Sequence, residues 1–439
     1  ASELQDRGQY FELVQLADWI TKLQPRFASI WAFHAWNLAY NVSVMLPNPH
    51  DRWRWVRHGI SLLRDQGMVY NPGSAMLHRE LAWMFHHKIG MDLDQAHMVY
   101  KREWALEMNR LLGGARPQPD LETLARIADQ PETDRLRDPA VAALAAELAA
   151  QGVDIWGDRE PSHAELPAPL RHRWTDSPEG RTLGAIARVH RMLHRYRLDP
   201  RRMLELERHL GVELDWRTPS AHALYWAATG LPFARNRFDD ISLRRQIFQA
   251  MNSAFLRGRL SFSPDGRTVI LAPQPDLLPA VRASFEEALA RHPEDFTVRQ
   301  AHRNFLVDGI MICTAYQRTG VARELFSELQ RRHGEAVGVP FERFVAETWA
   351  GRLRELDTDQ ALAAVEAALY QAALWRLLGD PTAAAGHEQI AALCWRAYMA
   401  DRQDPELRER TGLPPLDQIR ARAEERLRTD LDGRSAVSP

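Results

Sequence analysis

Apolar residues recur at helical spacing along most of the chain, and the first hundred residues read as nearly continuous amphipathic helices. After Gly8 and Tyr10, the residues Leu13, Ala17 and Ile20 share a face and Pro25 closes the segment. Trp31, His34, Ala35 and Leu38 mark a helix running to Tyr40, and the same spacing returns at His78, Leu81, Ala82 and Phe85. Between these two helices, Met45–Asp51 with Pro47, Asn48 and Pro49 predicts an inserted loop, followed by a helix over Arg52–Arg64. A turn at Gly90 then leads into a helix carrying Ala96 and Tyr100.

From Gly113 the periodicity breaks. Prolines interrupt Arg116–Asp120, a short alanine-rich helix is expected over Ala140–Ala150, and Pro161, Pro167, Pro169 and Pro178 punctuate the polar stretch 152–180. Residues 113–180 are therefore expected as an irregular linker. Helices resume at Arg181, and Thr218 with Pro219 supplies an N-cap and first-turn proline for a helix through Trp226. The good β signal is Leu260–Leu271, where Pro264, Asp265 and Gly266 turn one short strand into another. The helical register returns at Val281, Phe285 and Pro293, then at Ile312, Cys313, Tyr316, Gly320, Leu325 and Leu329, and more loosely over Ala364–Leu378 and Ala383–Tyr398. Arg420, Arg422, Glu424, Glu425 and Arg426 predict a charged terminal helix. The pattern predicts an all-α chain with one small β-hairpin, divided at 1–112, 113–180, 181–280, 281–400 and 401–439.

Composition narrows the classes of function. Of 439 residues 45% are apolar and 26% charged, ample to bury helix faces and to solvate the others. The formal charge is −2, so the chain as a whole has no electrostatic reason to seek nucleic acid, and no nucleic-acid partner is expected. Lysine occurs only at Lys22, Lys88 and Lys101, a bias that GC-rich coding explains. Cys313 and Cys394 sit in apolar helical contexts as small core residues. No run of apolar residues is long enough to span a bilayer. The chain opens directly in a helical pattern without Met, which suggests a removed upstream targeting or anchoring segment and leaves membrane contact open through it.

The spacing of Trp31, His34, Ala35 and Leu38, its return at His78–Phe85, and the closing Gly and Pro residues resemble the tetratricopeptide repeat. The Trp-rich openings IWAFHAWNLAYN and ELAWMFHHKIG also look like bacterial membrane-anchored proteins of that family. The resemblance implies an α-solenoid of helical hairpins that binds a protein or peptide, as a subunit or assembly factor of a larger bacterial complex. It further implies that the concave face carries Trp36 and Tyr40 from one repeat and Arg79, Trp83, His86 and His87 from the next. Seven of the fourteen tryptophans precede residue 105, more than ordinary packing requires, which fits a partner groove rich in aromatic and arginine side chains.

Other chemistries are less well signalled. His190 and His194 stand at i, i+4 spacing, as metal ligands on one helix face do, but Arg191 and Arg195 flank them; His86, His87 and His97 lie near Asp92 and Asp94. No metal or cofactor is expected at either place. A dense basic helix is expected over Ala187–Arg202, and it could meet an anion or lipid headgroup through Arg188, Arg191 and Arg195. Nucleotide, hydrolase and zinc-type motifs are absent from the sequence, so a non-catalytic scaffold is the leading expectation. The enzymatic alternative, a helical-toroid carbohydrate enzyme, would draw on Asp215 beside Trp216 and on Asp239 with Asp240.

Overall fold

The computed structural model describes residues 10–112, 121–161, 164–262, 269–353, 358–400 and 412–435. Its regular structure is helical apart from one two-stranded antiparallel sheet, so the all-α expectation holds. Two compact units divide the chain, Ala1–Ala254 and Phe255–Pro439.

The first unit contains α1 (Tyr10–Leu23), α2 (Ala28–Trp36), α3 (Pro49–Ser61), α4 (Ala75–Trp83), α5 (His97–Leu112), α6 (Leu121–Asp129), α7 (Pro139–Ala150), α8 (Ala168–Asp176), α9 (Pro178–His194), α10 (Pro200–Leu210), α11 (Pro219–Gly230) and, up to Ala254, α12 (Arg237–Arg257). Local chemistry sets many of the starts. Asn48, Asp138, Ser177 and Asp199 each accept a backbone N–H with the side chain, and each is followed by a proline at the first helical position. Thr218 departs from this rule: its hydroxyl donates to the Asp215 carbonyl at 2.7 Å, leaving Pro219 alone to start α11. The expected Met45–Asp51 loop is shortened, because Ser43–Met45 forms a 3-10 turn and α3 begins at Pro49. The alanine-rich helix expected within 113–180 is α7, but the stretch expected as linker also contains α6 and α8, while Arg116–Asp120 lies outside the described residues.

Helices α2 and α4 are copies of one design. Each has nine residues, starts at Ala, ends at Trp and runs on into a π-helix, Asn37–Val42 after α2 and Met84–Gly90 after α4. The offset is 47 residues, from Ala28 to Ala75 and from Trp36 to Trp83. Between them α3 also ends in a π-helix, Leu62–Gly67, and packs tightly on α2: a side-chain carbon at Gly59 would stand 2.7 Å from the Ala35 carbonyl.

Helix α11 lies across α4 and its π extension and is buried on nearly every side. Small residues permit this, since a side-chain carbon at Gly230 would fall 2.4 Å from Cβ of His78. The His222 ring of α11 stacks on Phe85 (5.1 Å) and meets Trp104 edge-on (4.8 Å), and its Nε2–H donates to the Trp216 carbonyl.

His34 breaks the match between the two copies, standing where the 47-residue offset puts Leu81. It is 2% exposed, and neither ring nitrogen has a hydrogen-bond partner among the described residues. An unmet buried polar group costs about 1–3 kcal/mol. His34→Leu, which supplies the residue of the other copy, is expected to raise stability by about 1 kcal/mol or more. Chemical denaturation at pH 7 checks this, and a lowered midpoint with unchanged slope would refute it.

In the second unit, β1 (Arg259–Phe262) pairs with β2 (Val269–Ala272), Leu260 lying opposite Leu271; the expected turn at Pro264–Gly266 lies outside the described residues. The helices are α13 (Leu278–Arg291), α14 (Phe296–Ala315), α15 (Thr319–His333), α16 (Phe341–Leu353), α17 (Thr358–Leu377), α18 (Pro381–Ala400) and α19 (Leu416–Ser435). Strand β2 buries Ile270 and Ala272 against Leu374, Trp375, Ala383, Ala384 and Leu427, so the hairpin is held by helices. The charged helix α19 packs on α17 through a buried stripe of Ile419, Ala423 and Leu427. Cys313 and Cys394 are buried, as expected of core thiols.

Candidate functional site

The π-helices decide where the aromatic side chains of α2 and α4 go. Trp36 and Tyr40 stack at 5.4 Å with 18° between their planes, and the equivalent pair Trp83 and His87 stacks at 4.5 Å, also with 18°. The two pairs meet where Tyr40 packs on His87, with ring centroids 5.8 Å apart and the Tyr40 hydroxyl 3.4 Å from His87 Nδ1. The result is a continuous ladder, Trp36–Tyr40–His87–Trp83, drawn from α2 and α4 and their π extensions. Trp36 is 36% exposed, and the other three rings are partly exposed. Burial pushes the Tyr40 phenol up, so it stays protonated. Burial, with Lys88 next to it, lowers His87, so the ring is neutral near pH 7 and can accept from Tyr40.

Beside the ladder opens a cleft of about 290 Å³, walled by Tyr40, Val44, His87 and Leu93 and floored by Arg52, Lys88 and Asp94. Val44 and Leu93 at its mouth are exposed. The floor is a buried ionic network: Lys88 Nζ lies 2.7 Å from Asp94 Oδ2 and 5.1 Å from the Tyr40 ring centroid. Tyr100 donates to the same carboxylate at 3.2 Å, and Arg52 Nη1 stands 3.4 Å from Oδ1. Burial alone would raise the Asp94 carboxyl, but bonds from Lys88, the Ala96 N–H and Tyr100 hold it below its usual value.

The chain matches no known family model, no curated protein and no solved structure.

Of the residues singled out in the sequence, Trp36, Tyr40, Trp83 and His87 come together in the ladder. His86 meets Trp83 from a buried position, with ring centroids 6.2 Å apart, and desolvation lowers it to about 4. Arg79 lies along α4 from Trp83 but is committed to Asp239 (3.2 Å) and Glu80 (3.0 Å), with its guanidinium over the exposed Phe238 ring. Sequence reasoning missed the floor. Its one signal was the scarcity of lysine, because two of the three lysines, Lys88 and Lys101, are buried here, the second on Asp92, His97 and the Met91 carbonyl.

The basic run does not form a single exposed face. Helix α9 ends at His194, and the chain turns through Arg197 at positive φ before α10 begins. Arg188 faces Glu160 at 3.9 Å, Arg191 is buried and donates to the Ile155 carbonyl at 2.9 Å, and Arg195 faces Asp158 at 3.3 Å. An anion surface needs exposed guanidinium groups side by side, and the burial of Arg191 removes the middle one. The acids weighed for glycoside chemistry are also engaged: Asp215 is held by both forks of Arg217, Asp239 by Arg79 and Asp240 by Arg244. Among the described residues, no helix is long and apolar enough to cross a membrane.

Proposed function

We propose that this chain is a non-catalytic interaction scaffold, a tetratricopeptide-like solenoid serving as a subunit or assembly factor of a larger complex, and that the ladder and its cleft are the docking face for an apolar or aromatic segment of a protein partner. The observation that carries this reading is the ladder itself. Two equivalent helices with their π extensions each contribute a stacked pair, and the pairs meet in a tilted contact of Tyr40 on His87, with exposed Val44 and Leu93 beside them. Rigid aromatic rings next to partly buried cations have the composition of contact centres in protein interfaces. The engagement of Asp215, Asp239 and Asp240 by arginines weighs against a glycosidase, which needs two carboxylates directed at the substrate.

A photo-crosslinking residue at Val44 or Leu93, introduced in cells of the source organism, should capture one defined protein. Trp36→Ala should abolish that capture, and binding of the captured partner should weaken by about 2 kcal/mol, roughly thirtyfold. Trp83→Ala separates docking from packing. A docking residue loses affinity with little change in melting temperature, whereas a packing residue costs about 3–5 kcal/mol of stability. Equal crosslinking by the parent and Trp36→Ala, or a large fall in melting temperature for Trp83→Ala with undiminished affinity, would sink the proposal.

A further inference from the structure

A second constellation lies elsewhere in the first unit. His190 and His194, one turn apart at the end of α9, converge with Glu132, which belongs to a 3-10 turn over Glu132–Asp134. Glu132 Oε1 lies 3.3 Å from His190 Nδ1 and 3.4 Å from His194 Nε2, and the three donor atoms all fall within 4.8 Å of one another. Among the described residues this is the one group of three His, Cys, Asp or Glu side chains at such spacing.

Two ligands at about 2.1 Å from a tetrahedral zinc ion are about 3.4 Å apart, and the Glu132 oxygen stands at that separation from each histidine nitrogen. The arginines that argued against a cation in the sequence are directed elsewhere, Arg191 to the Ile155 carbonyl and Arg195 to Asp158. Arg135, which lines the adjoining cleft, donates to the Ile127 and Ala128 carbonyls. The Trp156 ring meets His190 edge-on at 5.3 Å. Beside the group opens a cleft of about 330 Å³ with apolar walls from Leu136, Trp156 and Ile186.

The geometry points to a binding site for one divalent ion of the zinc type, held by Glu132, His190 and His194 with a coordination position open toward the cleft. Three protein ligands and one open position are the arrangement in which zinc exchanges an outside ligand, in contrast to the closed four-ligand structural sites. Because Glu132 and α9 are far apart in sequence, a bound ion would also tie the 3-10 turn to the helix and stabilise the folded state by mass action. This inference is independent of the aromatic ladder.

The test uses the full chain without an affinity tag, stripped with chelator and titrated with Zn2+ by calorimetry and with Co2+ by visible absorption. One ion per chain is expected, with the intense visible bands of tetrahedral Co2+ and a higher melting temperature in Zn2+. Glu132→Gln, His190→Ala and His194→Ala should each weaken binding by at least about tenfold and abolish the thermal shift. Their melting temperatures in chelator should match the parent, and His172→Ala, at an exposed histidine outside the group, should bind as the parent does. Absence of stoichiometric binding, octahedral Co2+ spectra, or equal weakening by His172→Ala would overturn the inference. If His190→Ala melts early in chelator, Glu132→Gln decides, and unchanged binding by that variant has the same overturning force.

Discussion

Moving the protein from pH 7 to pH 5 is expected to remove about 6 kcal/mol of stability from the first unit and bring it close to unfolding. Three buried histidines carry this. Desolvation lowers His34 and His86 to about 4 and His222 to about 3, against an ordinary value of 6.5, and none of the three is more than 8% exposed. The folded state therefore holds each ring neutral, while the unfolded chain takes up a proton as soon as the pH drops below 6.5. Their contribution is fully present above pH 6.5 and is lost as the pH falls toward 4 for His34 and His86 and toward 3 for His222. At pH 5 each site favours the unfolded chain by about 2 kcal/mol, and the sum is comparable with the 5–15 kcal/mol that holds most domains together. Thermal melts followed by circular dichroism between pH 7.5 and 4.5 test it. His34→Leu should flatten the pH dependence by about a third, and a midpoint unchanged down to pH 5 would show that these rings reach solvent or protons in the folded state.

The second large effect is expected at the cleft floor. Asp94→Ala strands the Lys88 ammonium, 4% exposed, with Arg52 close by and no carboxylate to balance either. Breaking a buried pair from one side costs about 3–5 kcal/mol, which for a unit of this size lowers the melting temperature by about 10 °C. Lys88→Met in the Asp94→Ala background removes the stranded charge and should restore a good part of the loss, since a buried pair replaced on both sides is often close to neutral. The double-mutant cycle reads the coupling directly. A loss below about 1 kcal/mol for Asp94→Ala would mean that the pair is solvated and that water, not protein, forms the cleft floor.

Much of the helical framework was legible because its signals are local. Thr218 with Pro219 marks the start of α11, whereas Pro178, which punctuates the expected linker, and Pro200, inside the expected basic helix, each start a new helix behind a side-chain cap. The return of the Trp31 pattern at His78 marks two helices that correspond residue for residue. The two strands were found from alternation and a turn sequence. What escaped depends on contacts distant in sequence or on backbone geometry. Glu132 comes 58 residues before His190 and 62 before His194, so the histidines alone looked like a weak pair flanked by arginines. The orientation of those arginines depends on the carbonyl of Ile155 and the carboxylates of Glu160 and Asp158, which no local spacing reveals. The family resemblance puts His86 on one face with His87, yet His86 packs on Trp83 from a buried position while His87 stands partly exposed in the ladder.

That wider backbone has a consequence for how such a surface changes over generations. A π-turn spans one residue more than an α-turn between its hydrogen-bonded groups, so losing a single codon within Asn37–Val42 or Met84–Gly90 would let the segment relax to an ordinary helix. Because a π segment absorbs its extra residue, the residues beyond the deletion would keep their place around the axis, and the change would fall on the segment itself. A codon lost between Trp36 and Tyr40, or between Trp83 and His87, would leave three residues instead of four from one ring to the next, and the stacked pair would have to re-form at that spacing. Substitutions at the ladder can tune it gradually, whereas a one-codon change in length alters the pairing in a single step.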